Sequence, residues 1–356
     1  MNNLAIIAIT RGGSDLARRI QKKYPDGADV YLPEKFLRPG EDAHSLSDDL
    51  SADVKKILGK YKSIACIMAA GIAVRMIAPL VRDKLKDPAV VVLDEEGRFV
   101  ISLLSGHIGG ANALAEALAR ITGGQAVITT ASDVRGTPAV DTLAQKLGCA
   151  IEDYGDAKRV TAALVNGGKA AAWSYNDAMS RRLGDISGLR LYGSLDEVFN
   201  AKHGPALIIS PFILPEGLKA RLAPVAVLRP KVLVVGIGCN RGTTAREIGN
   251  LAARVFREHG LSPLSVRNLA TISDKKDEAG ITEFARETGV KVEYILKRQL
   301  LKADTPSGPS EKVFSNMGVY GVCEPAALIS AGADTLLAPK RKSKNATVAV
   351  AQARLA

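Results

Sequence analysis

Leu103-Leu-Ser-Gly-His-Ile-Gly-Gly-Ala-Asn-Ala-Leu-Ala-Glu-Ala-Leu-Ala119 reads as a strand, a glycine-rich turn and a helix. Glycines at 106, 109 and 110 let the backbone turn sharply and come close to a ligand. The helix predicted from Ala111 aims its free amide N–H groups and positive dipole end at the turn. His107, one of four histidines, lies inside it. An anionic group and a proton-transferring side chain would meet there. A tight structural turn with an exposed histidine is the competing reading.

The same alternation extends on both sides. A buried strand over 4–9 is followed by Arg11-Gly-Gly-Ser14, with Ser14 as N-cap of a helix over 15–23. A strand over 63–69 ends at Gly71 and leads to a helix carrying Arg75. Strands over 89–93 and 98–104 are joined by Asp94-Glu-Glu-Gly97, a hairpin turn. A strand over 126–130 precedes Ala131-Ser-Asp-Val-Arg-Gly136. This pattern predicts an α/β fold of several layered α/β domains. Ligands in such sheets gather where strands lead into helices. The turns 69–75, 104–112 and 129–136 are therefore expected to converge on one cleft.

Three regions follow: an N-terminal α/β domain over 1–139, a middle region over 140–229, and a separate three-layer α/β domain over 230–356. Pro211, Pro215, Pro224 and Pro230 mark 211–230 as a linker. The last domain opens with a strand, Gly236-Ile-Gly238, and a helix. This resembles the start of a dinucleotide fingerprint. However, Arg241 stands where the third glycine belongs, and no acidic residue closes a second strand about 20 positions on. Arg241 suits a carboxylate better than a ribose.

The 356 residues are 47% hydrophobic and 24% charged, enough to build two or three cores. The apolar N-terminus lacks a basic region and is interrupted at Arg11, so no signal peptide is expected. No run approaches the ~18 apolar residues of a membrane span. These features predict a cytoplasmic chain without a membrane partner. Cys66, Cys149, Cys239 and Cys323 are too dispersed for a local zinc motif or a disulfide framework. P-loop, GxSxG and HExxH patterns are absent.

The net charge is +11; residues 231–356 hold 19 basic and 12 acidic side chains, more than half of that excess. Such charge favours an anionic partner. Only 4% of residues are aromatic, and no zinc-finger or RRM pattern appears, which argues against nucleic acid. A small molecule with several carboxylates accounts for the charge equally well.

Ala69-Ala-Gly-Ile-Ala-Val-Arg75, Leu104-Ser-Gly-His-Ile-Gly-Gly-Ala-Asn112 and Thr129-Thr-Ala-Ser-Asp133 resemble the N-terminal part of the CbiG family of cobalamin biosynthesis. Gly236-Ile-Gly-Cys-Asn-Arg-Gly-Thr243, Ser273-Asp-Lys-Lys-Asp-Glu-Ala-Gly280, Gly321-Val-Cys-Glu-Pro-Ala-Ala327 and Leu337-Ala-Pro-Lys340 resemble the domain that family shares with CobE. The resemblance is weakest over 140–229. It implies hydrolysis of cobalt-precorrin-5A: the δ-lactone opens, and C20 leaves with its methyl group as acetaldehyde, giving cobalt-precorrin-5B. Cobalt belongs to the substrate, and no protein-bound metal or organic cofactor is implied. Other enzymes of the pathway are candidate partners, and the oligomeric state is open. A non-catalytic tetrapyrrole carrier is the alternative.

The chemistry needs a base, and histidine ordinarily titrates near neutrality. His107 is the first candidate, with Asp133 and Asp141 next. The substrate's carboxylates call for N–H groups and cations. Gly71, Arg75, Ser105, Gly106, Gly109, Gly110, Asn112, Thr130, Ser132 and Arg135 are the N-terminal binding candidates, with Arg82 and Arg98 as lesser ones. Gly238, Arg241, Lys275 and Glu324 would form a second wall.

Overall fold

Leu4-Ala-Ile-Ile-Ala8 is buried on both faces, as expected of a parallel strand covered by helices on either side. It is β1 of a seven-stranded sheet. In chain order come α1 (Arg11–Lys23), β2 (Ala28–Pro33), β3 (His44–Leu46), α2 (Leu50–Lys60), β4 (Ser63–Ile67), α3 (Ala70–Ile77), β5 (Ala89–Leu93), β6 (Phe99–Leu104), α4 (Ala111–Thr122), β7 (Gln125–Val127) and α5 (Val140–Lys146). The computed structural model describes residues 3–83, 86–107, 109–130, 139–184, 186–201, 204–215, 217 and 224–354. The chain divides into two units, Met1–Thr142 and Leu143–Ala356.

In the first unit the strand order is β3-β2-β1-β4-β5-β6-β7. Strands β1 to β5 are mutually parallel; β6 runs antiparallel to β5, and β7 parallel to β6. The two faces carry separate cores. Leu4 and Ile6 pack with Leu16 and Ile20 of α1 and Leu114 and Leu118 of α4. Ala5 and Ile7 pack with Val54 and Ile57 of α2 and Ala73 and Ile77 of α3. Helix α1 begins at Arg11, four residues earlier than the sequence suggests. Thr10 is its cap, accepting from Gly13 N at 3.1 Å. Ser14 is buried inside the first turn, its hydroxyl donating back to Thr10 O.

The second unit contains two sheets. β8 (Cys149–Ile151), α6 (Tyr154–Val165), β9 (Ala170–Ser174), α7 (Asp177–Gly184), β10 (Leu189–Leu191), α8 (Leu195–Asn200), β11 (Ala206–Ile209) and β12 (Val225–Pro230) make a sheet of order β10-β9-β11-β12-β8. The linker expectation over 211–230 thus fails at its end. Val225–Pro230 is a fully buried strand between β11 and β8, because its apolar run outweighs the flanking prolines.

β13 (Leu233–Cys239), α9 (Ala245–Glu258), β14 (Val266–Ile272), α10 (Ala279–Thr288), β15 (Val292–Ile295), α11 (Lys297–Leu300), α12 (Glu311–Met317), α13 (Cys323–Ala331), β16 (Leu336–Lys342) and β17 (Ala346–Gln352) follow. Their sheet has the order β15-β14-β13-β17-β16. Alternate residues of β13 face opposite cores. Leu233, Val235 and Ile237 meet Ile248, Leu251 and Ile281 of α9 and α10, while Val234 meets Ala326 and Ala327 of α13. The result is a three-layer α/β arrangement. Buried Arg229 donates to Glu152 and to the carbonyls of Ser210 and Phe212, which fixes the connection between β11 and β12.

Candidate functional site

Because β6 is antiparallel to β5, its end lies beside the start of β5, with Leu104 opposite Val90. β4 is parallel to β5 and ends beside Leu93. The turn after β4 and the turn after β6 are therefore at opposite ends of the sheet. This corrects the expectation of one cleft. Gly71 and Arg75 lie on the edge away from His107; both are exposed, and the Arg75 guanidinium folds back toward the first turn of α3 near Gly71. That edge also holds an anion of its own: Glu95 Oε1 occupies the space where a Gly12 side chain would begin.

The turn 105–110 is on the other edge. Ser105 is the one described non-glycine residue with positive φ, at 58°. Such backbone strain clusters at functional sites. Ser105 Oγ donates to Asp87 O at 3.1 Å, anchoring the turn to the approach of β5. Asp87 in turn accepts from the backbone N–H groups of Arg82 and Asp83. Arg82, unlike Arg75, is thus on the histidine edge. Exposed Arg98 pairs with Glu96 in the hairpin turn at the opposite end.

Helix α4 does not present a bare N-terminus. Ala111 N donates to Ser105 O at 3.2 Å and Asn112 N to Gly106 O at 3.0 Å, so the turn closes on its own helix. Gly110, at φ 87°, makes the left-handed step into α4. Gly109 has Ser105 where a side chain would start, and a Cβ on Gly106 would stand 2.7 Å from Asn112 Oδ1.

What faces the turn is a cluster of neutral polar groups. Asn112 Oδ1 accepts from Ser102 Oγ at 2.6 Å, and Asn112 Nδ2 donates to Thr130 Oγ1 at 3.4 Å. His107 Nδ1 lies 3.0 Å from Thr142 Oγ1. Asp141 accepts from the Thr142 amide at 2.8 Å, so its described contact is with its own helix turn rather than the imidazole. His107, Ser102, Ser105, Asn112, Thr130, Asp141 and Thr142 are all half-buried. Asp133, Ser132 and Arg135 lie outside the described residues. The sequence reading missed Ser102 and Thr142. Ser102 is a lone hydroxyl in an apolar strand, which is a usable signal. Thr142 lies 35 positions from His107 and carries no motif.

The second-wall candidates occupy the second unit. A Cβ on Gly236 would fall closer than 3.0 Å to Cys323 O, and one on Gly238 would stand 2.6 Å from Thr347 Oγ1. These glycines let β13 touch α13 and β17, which explains the pattern without a nucleotide. Glu324 is 1% exposed. Its oxygens accept from Ser307 N and Oγ and Lys340 N, so it pins the 303–310 loop to α13. Lys275 is 8% exposed and pairs with Glu278 at 3.7 Å. Glu278 also accepts from Gly242 N, tying that pair to the 240–243 turn in which Arg241 is exposed. Burial pushes the thiols of Cys66 and Cys149 up to about 12 and Cys323 to about 11, which leaves them protonated and poorly nucleophilic.

Three families match in order along the chain: Cobalamin synthesis G N-terminal over residues 52–133, the Cobalamin biosynthesis central region over 138–230, and Cobalamin synthesis G C-terminus over 233–351. Cobalt-precorrin-5A hydrolase of Priestia megaterium is 37% identical over 359 residues, spanning 98% of this chain and 94% of that protein. Cobalt-precorrin-5A hydrolase of Salmonella typhimurium (strain LT2) is 34% identical, spanning 93% and 92%. Protein CobE of Sinorhizobium sp is 36% identical over 121 residues, 33% of this chain and 79% of that protein. Among the described residues no helix is long and apolar enough to cross a membrane.

Proposed function

The chain belongs to the CbiG family and is a hydrolase of cobalamin biosynthesis, and from that premise we propose that it converts cobalt-precorrin-5A to cobalt-precorrin-5B with His107 as proton acceptor. Water adds to the lactone carbonyl and the acyl–oxygen bond breaks. This gives a peripheral carboxylate and frees the hydroxyl on the C20 fragment. That hydroxyl loses its proton, its oxygen becomes the carbonyl of acetaldehyde, and the bond to the macrocycle breaks. The electron pair passes into the conjugated ring, which takes up a proton. One water is consumed. Cobalt travels with the substrate, and no protein-bound metal or organic cofactor enters the scheme.

The observation that carries this reading is the 3.0 Å contact between His107 Nδ1 and Thr142 Oγ1 beside a strained, glycine-built turn. In the tautomer that donates Nδ1–H to the threonine oxygen, the proton-accepting lone pair is the one on Nε2. Ser102, Asn112 and Thr130 offer neutral hydrogen-bonding groups, and Arg82 a cation for the substrate's carboxylates. Asp133, Ser132 and Arg135 follow Thr130 in sequence and complete the candidate set.

The test is turnover. Protein at about one-hundredth of the cobalt-precorrin-5A concentration should release many equivalents of acetaldehyde per chain under anaerobic conditions. Release limited to one equivalent per chain would point to a carrier and overturn the reading.

A further inference from the structure

An unassigned concavity lies on the outer face of α9, far along the chain from any residue in the scheme above. It is a groove of about 440 Å³, a volume within the range of small-molecule sites. One wall is a stripe of α9, with Arg246, Asn250, Arg254 and Arg257 three or four residues apart; the other includes Ser343 of the β16–β17 hairpin. At 1.5 Å per residue the arginines extend over ~16 Å.

The groove is a built feature rather than a loose set of surface side chains. Arg254 Nη2 donates to Lys342 O at 2.8 Å, which fixes the guanidinium across the gap to the hairpin, while its Nε stands 3.8 Å from Glu258 Oε1 and leaves Nη1 for a ligand. Glu247, the acidic residue in the lining, is turned into the opposite wall. It accepts from Ser343 Oγ at 2.6 Å and Asn345 N at 2.8 Å, and those bonds lower its carboxyl below the usual range. Arg246 and Arg257 have no acidic partner within 4.0 Å among the described residues. Lys342 and Lys344 of the same hairpin add positive potential.

We propose that this groove binds the carboxylate-fringed edge of a tetrapyrrole, with the guanidiniums of Arg246, Arg254 and Arg257 pairing with acetate and propionate side chains. The inference rests on the reading of the substrate as a polycarboxylate tetrapyrrole, and adds a docking site in the second unit. Spaced guanidiniums suit a row of separate carboxylates, because each planar fork can take one bidentately. Asn250, midway along the stripe, supplies both a donor and an acceptor.

The probe is uroporphyrin, a stable octacarboxylate, titrated into the full chain by fluorescence. The variant R246Q/R254Q/R257Q should weaken binding by about tenfold or more, and coproporphyrin, with half the carboxylates, should bind the wild type more weakly than uroporphyrin does. The charge-retaining R246K/R254K/R257K should recover part of the affinity, which separates lost charge from lost fold. Uroporphyrin affinity within about twofold of wild type in the glutamine variant would overturn the proposal. Acetaldehyde release, measured on the same proteins, is a separate readout. If the wild type releases none, the proposed reaction fails while the porphyrin titration still decides the groove.

Discussion

The segments 104–110 and 236–242 each carry three glycines where a strand leads toward a helix, one segment in each unit. They do different work. In the first, Gly110 is needed for its left-handed φ of 87°, and Gly106 for the passage of the Asn112 side chain. The backbone bends around polar side chains that hydrogen-bond one another. In the second, Gly236 and Gly238 lie on extended strand where another backbone or side chain occupies the Cβ position. Those glycines serve close packing of β13 on α13 and β17. A glycine cluster therefore signals a site only where the space it opens is lined by reactive groups.

The largest effect that would break this contrast is in the packing turn. Gly236→Ala should destabilise the second unit by about 3 kcal/mol or more, since the added methyl meets Cys323 backbone rather than a movable side chain. Gly110→Ala, with nothing within 4 Å of its Cβ, should cost only the left-handed strain of about 1–2 kcal/mol. Unit-resolved hydrogen exchange would check both values, and equal losses would erase the distinction.

The histidine turn is sharpened by its threonine. Thr142→Val keeps the shape but removes the imidazole's oxygen partner, so kcat should fall by about tenfold with KM little changed. Thr142→Ser, which keeps the oxygen, should stay within about threefold of wild type. A valine variant with normal kcat would mean that the contact is only structural. The smallest effect is acid sensitivity of the first unit. Arg18 beside Glu41 holds that carboxyl at about 2, below its ordinary 4.5. A depressed carboxyl stabilises the fold above about 4.5, and this stabilisation is lost as pH falls toward 2. Glu41→Gln should flatten the loss of stability over that interval in acid unfolding curves; an unchanged slope would show that the pair is inert.

Much of the layering was legible in the sequence. The hairpin turn 94–97, the helix after Gly110 and the opening of the last domain stand where their patterns put them, because long apolar runs and periodic helices dominate local choices. Three-residue strands such as β3, β8 and β10 are too short to carry a period. β12 was obscured by prolines that bracket rather than interrupt it. The polar cluster was legible at His107, Asn112 and Thr130, which the glycine turn, the start of α4 and the segment after β7 contribute. The site was misread at Gly71 and Arg75, because a single antiparallel step between β5 and β6 sends the two turns to opposite edges. The hairpin turn 94–97 already carries that reversal, because so short a connection joins only antiparallel strands. The Thr142 contact has no such local signature, since it depends on the return of the chain to the same edge.

The central claim is that His107 accepts the proton when the C20 fragment leaves. The direct measurement is acetaldehyde release from cobalt-precorrin-5A by His107→Ala, with substrate binding followed in parallel on the same protein. The account predicts a fall in kcat of about 10²-fold or more with binding retained. Turnover at the wild-type rate would contradict it.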